Sequence, residues 1–79
     1  MPTVLTVGPY RFYFYAGAQT EPPHVHIQRE RFVAKFWLEP VRMASSGRFA
    51  RKDLLKLFSL TLEHQTQLLD AWHDYFDTD

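Results

Sequence analysis

Apolar and polar positions alternate along the first half of the chain, and the period then changes. Short runs rich in Val, Ile, Phe, Tyr and Trp lie between Gly8-Pro9, the stretch Ala16 to Pro23, and Glu39-Pro40. Alternate side chains of a strand point to opposite sides, and β-branched and aromatic residues suit that half-buried geometry. The pattern predicts strands near residues 3–7, 10–16, 24–29 and 32–38, the last two joined by a tight turn at Glu30-Arg31. Past Ser45-Ser46-Gly47 the period becomes helical. Leu55, Phe58, Leu62, Gln65, Leu69, Trp72 and Phe76 recur at spacings of three and four, and Leu54, Leu57, Leu68 and Tyr75 widen the stripe. No Gly or Pro interrupts residues 48–79. One continuous helix near residues 51–76 is preferred over two helices divided at Glu63-His64. Phe49 and Leu54 flank Ala50 like a hydrophobic staple, and Asp53 suits the positive end of the helix.

Strand alternation assigns the faces. Phe12 and Phe14, Val25 and Ile27, and Ala34, Phe36 and Leu38 form one apolar face, which the helical stripe is expected to cover. Arg11, Tyr13, Tyr15, His24, His26, Gln28, Lys35 and Trp37 fall on the other. The fold expected is α+β: an antiparallel four-stranded meander with one long C-terminal helix packed on one face.

Composition narrows the class. Seventy-nine residues allow one domain, spanning 1–79, and 46% hydrophobic with 23% charged residues fits a folded one. Aromatics are abundant at 16%, and each buried ring removes about 150–250 Å² from water, so a small core suffices. The absence of Cys excludes a disulfide scaffold, a Cys-type zinc site and a thiol nucleophile. No apolar run approaches the roughly 20 residues of a membrane helix, so the expectation is a soluble cytoplasmic chain without a membrane partner. The net charge of zero divides along the chain. Residues 1–52 carry eight basic and three acidic side chains, a balance of +5, and residues 53–79 carry Lys56 against six acidic ones, a balance of −5. This asymmetry suggests a basic functional face and an acidic covering element.

The candidate chemistry centres on Glu21-Pro22-Pro23-His24-Val25-His26. Two histidines at i and i+2 on a strand share one side, and an imidazole titrates near neutral pH. His24 and His26 therefore stand as general base and general acid, with Arg11 and Lys35 to bind a phosphate and stabilise charge developing on it. Tyr13, Tyr15 and Trp37 offer platforms for stacking single-stranded bases, with Arg29 as a further RNA contact. These are the parts of a small metal-independent ribonuclease that needs no cofactor. A metal-binding module is the alternative: it would use His24 and His26 with Glu21, one ligand short of a closed zinc site. A third reading takes the same face as a protein interface, occupied by a partner or by a second copy in a homodimer.

The order Gly8-Pro9-Tyr10-Arg11-Phe12, Glu21-Pro22-Pro23-His24-Val25-His26, Ala34-Lys35-Phe36-Trp37-Leu38 and Ala71-Trp72-His73-Asp74-Tyr75-Phe76 resembles a family of small bacterial proteins, domain of unknown function 4160. The resemblance covers nearly the whole chain. It implies a toxin-like protein encoded beside an antitoxin-like partner of another uncharacterised family. It also implies a functional core at Glu21, His24 and His26, with Arg11, Lys35 and Trp37 as neighbours. One position departs from the family pattern: Ala50 stands where members carry a Ser or Thr helix cap, a change that costs roughly 0.5–2 kcal/mol of helix stability.

Overall fold

The period-two segments form strands largely where the alternation places them. In a computed structural model, which describes residues 3–76, β1 (Thr3–Val7), β2 (Tyr10–Tyr13), β3 (His24–Arg29), β4 (Phe32–Leu38) and β5 (Val41–Ser45) are followed by α1 (Arg51–Glu63) and α2 (Gln65–Phe76). Residues 1–2 and 77–79, which the single-domain span also takes in, lie outside the described residues. The strands form one antiparallel meander in the order β1-β2-β3-β4-β5. The β3–β4 turn is tight: Arg29 pairs with Phe32, and Glu30 takes the left-handed conformation that closes a two-residue hairpin. No helix among the described residues is long and apolar enough to cross a membrane.

Three expectations need correction. The sheet has five strands, not four. The four strands expected end at residue 38, and residues 41–45, past Glu39-Pro40, carry no element in that reading. They pair with β4 as an edge strand, with Leu38 opposite Val41 and Trp37 opposite Arg42. Edge strands are exposed and tolerate polar and charged residues, which erases the pattern. Second, β2 ends at Tyr13, and Phe14 to Tyr15 leave the ladder to enter the loop before β3.

Third, the helix is two helices. His64 departs from helical geometry at φ −105°, ψ 16°, and its Nδ1–H donates to the Leu60 carbonyl at 2.9 Å. The Gln65 side chain donates to the Leu38 carbonyl at 2.7 Å, which ties the junction to the end of β4. The buried stripe nonetheless keeps one helical phase across the junction: Leu57, Thr61, Leu68 and Trp72 are buried at spacings of four, seven and four, while Leu55, Phe58 and Leu62 lie to one side of it and are exposed. The residues that α1 buries are Leu57 and Thr61, with Leu54 partly covered. Thr61 is tolerated there because its hydroxyl donates back to the Leu57 carbonyl at 2.7 Å.

The inner face of the sheet matches the alternation. Phe12, Phe14, Val25, Ile27, Ala34, Phe36 and Leu38 are all buried beneath Leu57 of α1 and Leu68 and Trp72 of α2. Burying a side chain of this class contributes about 1.5–3 kcal/mol, so the core rests on this layer. Ala50 caps α1 without a side-chain hydrogen bond, as its residue type requires.

Candidate functional site

The loop between β2 and β3 is shaped by its own backbone and then pinned to β4. Ala18 N–H donates to Tyr15 O, Glu21 N–H donates to Ala18 O, and residues Ala18–Thr20 form one turn of 3₁₀ helix. Leu38 N–H donates to Pro23 O at 3.0 Å, fixing the start of β3. Pro22 and Pro23 lie just outside the strand, where a missing N–H costs the ladder nothing. From there β3 projects His24 and His26 to the outer face, opposite Trp37 and Lys35 of β4. Tyr13 of β2 lies across from His26 on the other side.

These elements enclose an open cleft of about 260 Å³ lined by Tyr15, Gly17, Ala18, Thr20, Glu21, His24, His26 and Lys35. His24 Nδ1 lies 2.9 Å from Pro22 O. A carbonyl only accepts, so Nδ1 carries the proton and Nε2 keeps its lone pair in the neutral ring. The His24 ring is 3% exposed, edge-on to Trp37 and packed on Trp72 of α2 at 5.2 Å between centroids. His26 stacks on Tyr13 at 5.4 Å and meets the edges of Tyr15 at 4.3 Å and His24 at 5.4 Å. Its Nδ1 is buried without a hydrogen-bond partner. Lys35 Nζ donates to Glu21 Oε1 at 2.6 Å and sits over the Trp37 ring at 4.6 Å.

Burial dominates the electrostatics. It pushes His24 below the ordinary imidazole range and, with the His24 and Lys35 charges adding to it, takes His26 down to about 4. Both rings are therefore neutral at pH 7. The Lys35 hydrogen bond holds the Glu21 carboxyl below its usual range. Burial raises the Tyr13 phenol to about 12.

Linkage fixes the consequence for stability. A histidine whose folded pKa lies below its unfolded value binds its proton more readily once the chain unfolds. Stability is then full above about 6.5 and is lost as pH falls toward about 4. For His26 the loss is at most about 3 kcal/mol, and solvent contact at the cleft reduces it. Denaturant midpoints at pH 7 and pH 4.5 should differ clearly in the wild type. In His26→Gln the difference should shrink, and an unchanged difference would show that His26 is not the group responsible.

Not all the expected site residues converge. His24, His26, Lys35, Glu21 and Tyr15 line the cleft, and Trp37 flanks it under the Lys35 ammonium. Arg11 lies farther along the outer face, donating to Thr3 Oγ1 at 2.7 Å and Gln28 Oε1 at 2.8 Å, with its guanidinium 4.5 Å from the Tyr13 centroid. Tyr13 is buried beneath His26, so its ring supports an imidazole rather than a base. Arg29 is on the opposite face, where it pairs with Asp53 of α1 at 3.6 Å and lies over Tyr10 and Phe49. Strand alternation already separates Arg29 from His24 and His26. The metal ligand set does not form either: among the described residues no three His, Asp or Glu side chains group closely enough to hold an ion. Gly17, Ala18 and Thr20 of the cleft wall carry no chemical signal in the sequence, and neither does Trp72 as the support of His24.

A family model, Domain of unknown function (DUF4160), matches residues 10–73. The chain belongs to that family. The matched span runs from the start of β2 into α2 and includes every residue of the cleft. No curated protein and no solved structure matches the chain.

Proposed function

We propose that this chain is the toxin component of a bacterial toxin–antitoxin pair, acting as a metal-independent ribonuclease, with a neighbour-encoded antitoxin-like protein as its partner. One observation carries the reading: two imidazoles and a lysine converge on one open cleft beside an exposed tyrosine. The cleft suits one phosphodiester. Lys35 supplies positive charge to the phosphate, and Tyr15, 42% exposed, supplies a stacking platform at its rim. Neutral His24, with Nε2 free of a proton, is the general base. It takes the proton of the ribose 2′-hydroxyl as the 2′-oxygen bonds to phosphorus. His26 is the general acid, and an anion seated beside it raises its pKa toward the working range. It gives its proton to the 5′-oxygen as the phosphorus–oxygen bond breaks, leaving a 2′,3′-cyclic phosphate and a 5′-hydroxyl.

The test is incubation of the purified protein with single-stranded RNA in excess chelator. Cleavage with cyclic phosphate ends is expected, and His24→Ala or His26→Ala should each lower the rate by roughly 10²–10⁴-fold with unchanged circular dichroism. RNA left intact by the wild type, or cleaved equally by both variants, overturns the mechanism. The toxin role has a separate readout. Expression alone should arrest growth, and co-expression with the adjacent open reading frame should restore it.

A further inference from the structure

The sheet and α1 leave two deficits side by side. The strand order ends at β5, so one edge of Val41–Ser45 has no neighbour among the described residues. Alternation turns Met43 toward the helical layer, opposite Phe36, yet it is 50% exposed. On α1 itself Leu55, Phe58 and Leu62 are 62%, 37% and 48% exposed, spaced as one stripe along the helix. A groove of about 270 Å³ runs between the two elements, lined by Phe36, Met43, Leu54, Leu55 and Phe58, with Arg51 at one end. A long apolar stripe beside an open strand edge is the arrangement that monomeric proteins avoid.

We propose that β5 and the outer stripe of α1 form the interface of a symmetric dimer, the occupant of the groove being a second copy of this chain. The charges of α1 favour that occupant. Arg51 and Lys52 open the helix, and Glu63 closes it. A two-fold axis normal to the sheet reverses every direction lying in its layers, so α1 meets its mate antiparallel. The basic end of each helix then faces the acidic end of the other, while the apolar stripes meet between them. The same axis passing beside Met43 pairs β5 with its mate antiparallel. Val41 comes opposite Ser45, and Arg42 comes opposite Ala44, with no like charges directly across the ladder. One operation thus pairs the open edge and covers the exposed stripe.

The assembly has a consequence on the far side of the sheet. Two meanders joined at β5 make one ten-stranded sheet with both clefts on its outer face. Five strand spacings separate β3 from its mate, which is about 24 Å at about 4.8 Å each. The dimer stands independently of the chemistry at the cleft.

The experiment is sedimentation equilibrium of the full chain over a concentration series. A monomer–dimer equilibrium is expected in the wild type. Leu55→Glu and Phe58→Glu, both at exposed positions, should each weaken it by roughly tenfold or more with unchanged circular dichroism. Arg51→Glu should weaken it as well, and adding Glu63→Arg to that variant should restore it, a rescue that a merely structural defect would not give. A wild type that stays monomeric at every concentration overturns the proposal. So does a dimer that is indifferent to Leu55→Glu and Phe58→Glu, which would place the contact elsewhere. A monomer whose groove is filled only by a foreign acidic segment overturns the second copy as the occupant.

Discussion

Gly47→Ala is expected to lower the thermal unfolding midpoint by at least roughly 12 °C. Gly47 sits between β5 and α1 with φ +58°, and a Cβ built there would stand 1.7 Å from Val33 O and 2.2 Å from Val33 C. Two costs add. The left-handed backbone penalises any L side chain by roughly 1–2 kcal/mol. The clash is with main chain of the β3–β4 hairpin and not with the end of a flexible side chain, so relief requires the β5–α1 connection to move off β4. Together these should cost about 3 kcal/mol or more, against a total stability on the order of 4–12 kcal/mol for a chain of this length. At about 4–8 °C per kcal/mol the midpoint falls by at least roughly 12 °C. The other two glycines separate the causes. Gly8 has φ +55° but open space around it, so Gly8→Ala carries only the backbone penalty. Gly17 has neither constraint, and Gly17→Ala should change stability by less than about 1 kcal/mol. Thermal unfolding followed by circular dichroism ranks the three. A Gly47→Ala protein as stable as Gly8→Ala would mean that the loop yields at little cost.

The two faces of the sheet were readable because alternation is strictly local. Phe12, Val25, Ile27, Ala34, Phe36 and Leu38 need only their own strand to choose a side, and all are buried. The phase of α1 was not readable by that means. Spacings of three and four from Leu55 to Phe76 are as regular as those of the buried stripe, and Thr61, a polar residue that is fully buried, interrupts the apolar character that would have identified the latter. The stripe that turns inward is Leu57, Thr61, Leu68 and Trp72, and Leu55, Phe58 and Leu62 lie off it toward solvent. The strand β5 was illegible for a related reason: only Val41 of its five residues is buried. In the cleft, the sequence identified the side of the sheet on which His24, His26 and Lys35 lie. It did not reveal that Tyr13 is spent supporting His26, that Arg11 is engaged by Thr3 and Gln28, or that α2 reaches His24.

That last contact carries the second large effect. Trp72→Ala should destabilise the protein by about 3–5 kcal/mol, the usual range for emptying an indole from a core. The indole packs on Phe14 at 5.3 Å, Phe76 at 4.3 Å and His24 at 5.2 Å between centroids, so one truncation loosens both the core and the back of the cleft. The functional sign follows from the cause of the His24 shift. Burial is the largest contribution holding His24 below the ordinary imidazole range, and Trp72 supplies part of that burial. Removing the indole lets water reach the ring, so the His24 pKa should rise toward about 6.5, the value of an exposed imidazole. At a pH between the two values the variant holds a charged His24 where the wild type holds a neutral one, and under the proposed ribonuclease mechanism a base that is already protonated cannot accept the 2′-hydroxyl proton. Loss of activity on the acid side should therefore begin at a higher pH in Trp72→Ala than in the wild type. Trp72→Phe keeps an aromatic ring against His24 and should shift both stability and titration far less. NMR titration of the imidazole signals, with calorimetry of the same samples, measures the two effects together. A Trp72→Ala protein that is destabilised but titrates like the wild type would assign the depressed His24 pKa to the β-sheet neighbours alone, and would leave α2 no part in tuning the cleft.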